Sequence, residues 1–176
     1  MTWPTHAFLG ISTLWLLSPL PVEIIGYDMG VLAACAAFGA LLPDLDASES
    51  KIKHLKIFGT QTKPFLLPSQ VIYKTDQHRG LLHSFIGFGM VGVVTAPLAW
   101  WTGWAPATAL LMGYASHLLA DSATKSGLRL FYPQHDRFYL MPLGWGITTG
   151  SSAEDVVMVS AALTSLTLLL IQLHQF

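Results

Sequence analysis

Charged residues are scarce in this 176-residue chain, at 11% of the sequence against about 25% in soluble globular domains. Apolar residues make up 52% of the chain, so most of its surface cannot be in contact with water. The net charge of −1 provides no basic excess to neutralise phosphates, which argues against a nucleic-acid partner. A single cysteine, Cys35, excludes an internal disulfide. This composition predicts one integral membrane domain over residues 1–176.

Long apolar runs are what the chain has in abundance. Five of them predict membrane-spanning helices, so we expect an all-α fold, a polytopic membrane helix bundle. The predicted helices cover about residues 5–21, 27–43, 81–101, 105–121 and 154–173. The second run is rich in Ala and Gly, and the third carries Gly87, Gly89 and Gly92. Small residues let helix backbones approach closely, so both runs are expected to present packing faces to other helices.

The distribution of basic residues predicts how these helices are oriented. If the five helices alternate, the N-terminus and the 2–3 and 4–5 loops lie on one side. All nine Lys and Arg then fall on that side, which the positive-inside rule makes cytoplasmic. The 2–3 loop contains SKIKHLKIF at 50–58, in which cations alternate with apolar residues. We interpret it as an interfacial basic segment on anionic headgroups, with a solvated loop as the equal alternative.

Potential metal ligands lie at the predicted cytoplasmic ends of the helices. They are His6 in the first helix, Asp44 and Asp46 after the second, His78 and His83 before the third, and His117 and Asp121 ending the fourth. Taken singly, each is explained by an interfacial position, a polar helix stop or a hydrogen bond between helices. Ionisable groups at membrane depth are costly, however, and their convergence on one face favours a shared site.

The spacing of these residues is suited to metal binding. His117 and Asp121 are four residues apart, so a helix projects them within about 40° of each other. His78 and His83 would diverge by about 140° on a regular helix. Gly80 is expected to let His78 occupy a turn while His83 stands on the helix. Mixed His and Asp ligands suit Zn²⁺, with Mn²⁺ or Fe²⁺ as alternatives, and so many candidates suffice for two ions.

Two further residues at the same helix ends are candidate catalytic residues. Arg79 could bind a phosphate bidentately, or it could pair with a headgroup or a carboxylate. Glu154 could be a general base, a ligand or, with Asp155, a favourable charge at a helix N-terminus. His135, in YPQHDRF, is either a further ligand or a loop cap.

Several motifs together resemble the YdjM-like family of LexA-regulated, membrane-bound, predicted metal-dependent hydrolases of bacterial inner membranes. They are TH at 5–6, LLPDLD at 41–46, HRGLLHS at 78–84, GYASHLLADSATKSG at 113–127 and YP at 132–133. The resemblance covers most of the chain, with the motifs in order. It implies inner-membrane localisation and a divalent-metal site. The implied metal-site set is His6, Asp44, Asp46, His78, His83, His117 and Asp121.

The function expected from these features is hydrolysis of a phosphoester in a lipid or lipid-linked substrate at the cytoplasmic face. Helix ends at headgroup level meet lipid headgroups first, so membrane lipids are the expected partners. Metal ions would activate the attacking water, Arg79 would bind phosphate oxygens, and a carboxylate would relay protons. The main alternative is a non-enzymatic metal protein with a structural site, a sensor or a transporter. A third is a lipid-binding scaffold that acts through the basic segment 51–56.

Overall fold

A computed structural model describes residues 1–17, 28–46, 56–57, 60–61, 80–142 and 144–174, with side chains for 1–16, 28–44, 80–142 and 144–171. Its α-helices are α1 Trp3–Ser12, α2 Leu14–Leu17, α3 Met29–Leu41, α4 Phe85–Thr102, α5 Trp104–Ser122 and α6 Ser152–His174. Two 3₁₀ turns, Pro43–Asp46 and Leu81–His83, follow α3 and precede α4. Apart from one small strand pair and the irregular segment between α5 and α6, the described chain is helical, which confirms the predicted all-α class.

The strand pair consists of β1 Lys56–Ile57 and β2 Thr60–Gln61, which are antiparallel. Lys56 faces Gln61 in this register. The side chains of the predicted basic segment 51–56 lie outside the described residues, so its interfacial role stays a prediction.

Local sequence signals set the helix boundaries. The Asp28 carboxylate caps α3 by accepting hydrogen bonds from the backbone N–H groups of Gly30, at 2.7 Å, and Val31, at 3.2 Å. Ser84 caps α4 by accepting from the Gly87 N–H at 3.3 Å. Gly103, with φ of +88°, joins α4 directly to α5, a conformation that glycine adopts without a Cβ clash.

Two helices in the described part of the chain are long and apolar enough to cross a membrane, α4 and residues Ser152–Ile171 of α6. This is fewer than the five spans predicted, and for α1 and α3 the reason is length. With 10 and 13 residues, these helices extend about 15 and 20 Å, against about 30 Å of hydrocarbon. The two long helices face outward, as lipid-contacting helices do; Val93 and Val94 of α4 are each 74% exposed.

Small residues bring α3 and α5 into backbone contact. A Cβ added to Gly39 would lie 2.0 Å from the Leu110 carbonyl oxygen, and one added to Gly113 would lie 1.9 Å from the Ala36 carbonyl oxygen. The close-packing face predicted for the second apolar run is therefore present. α1 packs against this pair and against α6, while α4 packs against α5.

The predicted packing face of α4 is smaller than its glycines indicated. A Cβ at Gly87 would lie 2.6 Å from the Leu81 carbonyl oxygen, so this position is tightly packed. Gly89, in contrast, has no heavy atom within 4 Å, and Gly92 has one neighbour, a Leu111 methyl group at 4.0 Å. Only the first turn of α4 therefore needs glycine for close approach.

The segment after α5 folds back beneath the end of that helix. Thr124 forms a parallel bridge with Ile147, and Leu128 an antiparallel bridge with Phe138. Leu128 is fully buried and contributes to an apolar cluster with Tyr114. The loop between α5 and α6 therefore supports the end of α5 that carries His117 and Asp121.

Candidate metal centre

Five of the seven predicted metal ligands meet at one end of the bundle. They are His6 of α1, Asp44 of the 3₁₀ turn after α3, His83 of the turn before α4, and His117 and Asp121 of α5. Four are buried, with exposures of 2% or less, and Asp44 is 26% exposed. Two helices and two turns contribute one or two ligand residues each, so the cluster depends on the packing of the whole bundle.

Four donor atoms of this cluster form a compact group: Nε2 of His83, Nε2 of His117, Oδ1 of Asp44 and Oδ2 of Asp121. The two nitrogens are 3.2 Å apart. His83 Nε2 lies 3.7 Å from the Asp44 oxygen and 4.0 Å from the Asp121 oxygen. His117 Nε2 lies 3.9 and 3.8 Å from the same two atoms. His117 and Asp121 thus converge as their spacing of four residues predicts.

These distances are close to those between the ligands of a bound divalent cation. Donors bound at zinc-like lengths of about 2.0–2.2 Å around a tetrahedral ion lie about 3.3–3.6 Å from one another. The five distances that involve a histidine nitrogen fall between 3.2 and 4.0 Å, so His83 and His117 can share an ion with Asp44 or with Asp121 after inward shifts of a few tenths of an ångström. Two imidazole nitrogens with two carboxylate oxygens are also a donor set that Zn²⁺ accepts.

The orientation of His117 is set by the backbone of α3. Its Nδ1–H donates a hydrogen bond of 2.7 Å to the Ala40 carbonyl oxygen, which is among the last four carbonyls of that helix. A neutral imidazole with its proton on Nδ1 directs the Nε2 lone pair into the cluster. Metal-ligating histidines commonly have such a partner, which orients the ring. The Ala and Gly content of the second run predicted close packing but not this carbonyl contact.

His83 reaches the cluster from a turn, and the prediction that it stands on the helix is wrong. It ends the 3₁₀ turn Leu81–His83, and α4 begins two residues later because Ser84 is its N-cap. Tyr114 of α5 donates its hydroxyl to the Leu82 carbonyl and so ties the turn to the bundle. Gly80 precedes this turn, as the sequence indicated, but it positions His83 before the helix.

His6 and Asp121 extend the cluster beyond the four donors. The His6 ring stacks on the His117 ring, with centroids 3.8 Å apart and planes 18° from parallel. Its Nε2 lies 3.3 Å from Asp121 Oδ1, which also accepts a 2.6 Å hydrogen bond from the Met1 amino group. His6 Nδ1 is buried without a hydrogen-bond partner among the described residues. With Asp44 and His117, His6 forms a second possible ligand group, whose donor atoms all lie within 4.8 Å.

Asp44 is the ligand candidate closest to the outside of the cluster. Burial tends to raise the pKa of its carboxyl group, but His83 and the imidazoles of His117 and His6 outweigh this effect. The net pKa lies below its ordinary value, so the carboxylate is ionised at neutral pH. Asp44 therefore presents a negative charge at the open side of an otherwise buried site.

Glu154 makes contacts different from those of the ligand candidates. Its carboxylate is 1% exposed and accepts hydrogen bonds from the backbone N–H and hydroxyl of Thr2, the Thr5 hydroxyl and the Gly150 N–H. These bonds attach the first turn of α1 to the start of α6, next to His6. This connection between α1 and α6 was not among the three sequence interpretations of Glu154, which stay predictions.

The remaining predicted residues are not placed in the cluster. His78 and Arg79 lie outside the described residues, as does the side chain of Asp46, so their roles as ligands or phosphate-binding groups stay predictions. His135 is exposed in the loop after α5 and belongs to neither group of possible ligands. Sequence reasoning did not identify Thr2 or Thr5, since a hydroxyl near an N-terminus gives no signal of a distant carboxylate.

Comparison with known proteins agrees with this architecture. The sequence profile of the family described as YdjM inner membrane protein matches residues 1–175. Protein YvsG of Bacillus subtilis is 30% identical over 169 residues, which are 94% of this chain and 92% of YvsG. Inner membrane protein YdjM of Escherichia coli is 33% identical over 119 residues, covering 64% of this chain and 55% of that protein. No solved structure matches the chain. The family resemblance of the sequence motifs is thus confirmed, and this chain belongs to the YdjM inner membrane protein family.

Proposed function

We propose that this protein is a metal-dependent hydrolase of the bacterial inner membrane that cleaves a phosphoester of a lipid or lipid-linked substrate at the cytoplasmic face. The observation that carries the proposal is the close approach of the His83 and His117 nitrogens to each other and to the Asp44 and Asp121 carboxylates, at 3.2–4.0 Å. A divalent ion bound there would acidify a water molecule and neutralise charge that develops on phosphate oxygens. Zn²⁺ suits the donor set, with Mn²⁺ or Fe²⁺ as alternatives.

The number of donors supports hydrolysis over a purely structural ion. A closed structural site needs four ligands, whereas this cluster contains five candidate residues in two overlapping groups that share His117. Such an arrangement could bind a second ion, or its fifth residue could replace a ligand that the substrate displaces from the metal during a reaction. Asp44, as the one partly exposed member of the five, marks the side from which a substrate would approach.

The lipid substrate follows from where the cluster lies relative to the long helices. His83 precedes the first residue of α4, and Glu154, at the start of α6, is next to the N-terminal turn that carries His6. Both long apolar helices thus begin at the end of the bundle where the ligands meet. A helix that spans the bilayer has its ends near the headgroups, where phosphoesters are concentrated. The positive-inside rule supports a cytoplasmic location for this end.

A structural metal site is the second candidate, and the deep burial of four ligands favours it. His6, His83, His117 and Asp121 are 2% exposed or less, as in sites that bind an ion for stability. In that case the metal would join α1, α5 and the turns after α3 and before α4, and no substrate would be turned over.

The first test is the metal content of detergent-purified protein, measured by elemental mass spectrometry. We expect one or two zinc, manganese or iron ions per chain. Asp121→Asn and His117→Ala should each weaken zinc binding by more than about 100-fold, because each removes a direct ligand. Loss of a mere hydrogen-bond partner of a ligand already lowers metal affinity by about 10–100-fold. His135→Ala, which changes an exposed histidine outside the cluster, is the matched control and should bind as wild type does.

The second test separates the two candidates. Release of phosphate or headgroup from vesicles of phosphatidylethanolamine and phosphatidylglycerol is measured for metal-loaded wild type and for Asp121→Asn. Metal-dependent release that is lost in the variant supports hydrolysis. Stoichiometric metal without turnover favours the structural site, and turnover that survives both Asp121→Asn and His117→Ala contradicts the proposal.

A further inference from the structure

An apolar groove lies directly beside the His/Asp cluster. It has a volume of about 390 Å³, within the range of about 300–1,000 Å³ that is usual for small-ligand sites. Its walls come from α1, α5, the start of α6 and the loop between α5 and α6. The lining residues include Leu9 and Thr13 of α1, Leu119 and Ala120 of α5, and Val157 of α6. The proposed catalytic residues are not part of this lining.

The groove is apolar even where its lining residues carry hydroxyl groups. Ser12 donates its hydroxyl to the Phe8 carbonyl at 2.8 Å, and Thr13 donates to the Gly10 carbonyl at 2.6 Å. Ser116 donates to the Gly113 carbonyl at 2.7 Å. The Ser12 hydroxyl also lies 3.0 Å from the Ala161 carbonyl oxygen of α6, so each hydroxyl proton is used by a backbone carbonyl of the protein. A ligand in the groove would contact mainly methyl and methylene groups, which suits a hydrocarbon chain and not a polar molecule.

One end of the groove adjoins the proposed active site. Ala120 immediately precedes Asp121, and Ser116 immediately precedes His117, so the groove face of α5 is about 100° around the helix from the ligand face. Met1 also lines the groove, and its amino group lies 2.6 Å from Asp121 Oδ1. The other end follows α1 as far as Thr13, along a helix of 10 residues that is about 15 Å long.

We infer that this groove binds one acyl chain of a membrane glycerophospholipid and thereby places the lipid's phosphoester at the His/Asp cluster. The inference rests on the proposed function for the identity of the polar end of the lipid. The groove itself specifies the other end, since a hydrocarbon tail extending from Asp121 toward Thr13 would lie against apolar side chains. Binding of the tail would orient the lipid and make long-chain substrates preferred over short-chain ones.

The test uses the full chain in nanodiscs of phosphatidylethanolamine and phosphatidylglycerol. The probe is a phosphatidylglycerol with a photoreactive diazirine at the end of one acyl chain, and cross-linked peptides are mapped by mass spectrometry. We expect labelling of the stretch from Leu9 to Thr13, at the end of the groove away from Asp121. Labelling confined to the outward faces of α4 and α6, as for ordinary surrounding lipid, would overturn the inference.

Val157→Trp and Val156→Trp form a matched pair of neighbouring substitutions on α6. Val157 lines the groove, whereas Val156 is 66% exposed on the outer surface. An indole at position 157 should displace two or more methylene groups of the chain and lower labelling of the Leu9–Thr13 stretch about tenfold. Val156→Trp should label as wild type does. Equal labelling of both variants contradicts the inference, and Leu119→Trp, at an exposed groove residue, replaces Val157→Trp if that variant does not fold.

Hydrolysis measured in parallel distinguishes failure of the groove from failure of the proposed function. Groove labelling without metal-dependent turnover supports the acyl-chain site and contradicts the hydrolase. Turnover of long-chain and short-chain phosphatidylglycerol at equal kcat/KM, without groove labelling, supports the hydrolase and contradicts the acyl-chain site. If both hold, Val157→Trp should raise KM for the long-chain lipid and leave the short-chain lipid unchanged.

Discussion

Gly113→Ala is expected to weaken metal binding although residue 113 contacts no ligand atom. The added Cβ would lie 1.9 Å from the Ala36 carbonyl oxygen, whereas ordinary contacts begin near 3.4 Å. Relief of this overlap requires α3 and α5 to separate by about 1.5 Å, since two packed backbones cannot interpenetrate. Overpacking of this kind costs about 1–3 kcal/mol of unfolding free energy.

The same separation affects the centre through one hydrogen bond. The Ala40 carbonyl, one turn beyond Ala36 on α3, accepts the Nδ1–H of His117 at 2.7 Å. A movement of about 1.5 Å lengthens that contact beyond hydrogen-bonding range and releases the imidazole orientation. Loss of an outer contact to a metal-ligating histidine weakens metal binding by about 10–100-fold, which is the change expected for Gly113→Ala.

Zinc affinity is measured by competition with a chelating dye, and the thermal unfolding midpoint is measured in the same detergent. Gly89→Ala is the matched control because no heavy atom lies within 4 Å of its added Cβ. Ala36→Gly combined with Gly113→Ala should not restore binding, since the clash is with backbone and not with the Ala36 side chain. A Gly113→Ala protein with wild-type zinc affinity would refute the reasoning, as would an equal loss in Gly89→Ala.

Two further predictions concern protonation and the attachment of α1. Zinc binding should weaken as the pH falls toward about 3, the value to which burial lowers the pKa of His117, because protons then compete with the metal for its imidazole lone pair; competition titrations check it, and affinity unchanged down to that pH would exclude ligation by His117. Glu154→Gln should lower the thermal unfolding midpoint by about 4–8 °C, since hydrogen bonds from Thr2, Thr5 and Gly150 to a charged acceptor are weakened. Asp155→Asn, at the exposed neighbouring position, is its control and should unfold near the wild-type temperature.

Much of the helical plan follows from the sequence, because helix length and polarity are local properties. The runs near 85–102 and 152–171 are long and apolar, and both form candidate spans. The run at 5–21 was predicted as one helix, but α1 ends at Ser12 and α2 begins at Leu14. Apolar composition does not separate a spanning helix from a short helix packed within the bundle, so the sequence predicts five spans where two helices of the described residues qualify.

The convergence of the site was also accessible from the sequence, since alternating helices bring every second end to the same side. The approach of the His117 and Asp121 side chains to each other is predicted by helical periodicity alone. The contacts that orient His117 and the turn of His83 could not be predicted from the sequence. The Ala40 carbonyl and the Tyr114 hydroxyl form these hydrogen bonds with residues that are distant along the chain. The sequence predicted His83 on the helix, whereas it ends the preceding turn, because Ser84 caps the helix and Phe85 is its first residue.

The junction of α4 and α5 has a consequence for which lipids can reach the cluster. Trp100, Trp101 and Trp104 surround this junction and are 82%, 88% and 62% exposed, as expected of side chains that anchor a protein at a membrane surface. His83 lies just before the opposite end of α4, whose 18 residues extend about 27 Å, close to the thickness of the hydrocarbon layer. With tryptophans at one boundary and ligands at the other, the cluster would meet the headgroups of only one leaflet. Under the proposed function, its supply of substrate would then depend on how quickly lipids cross between the two leaflets.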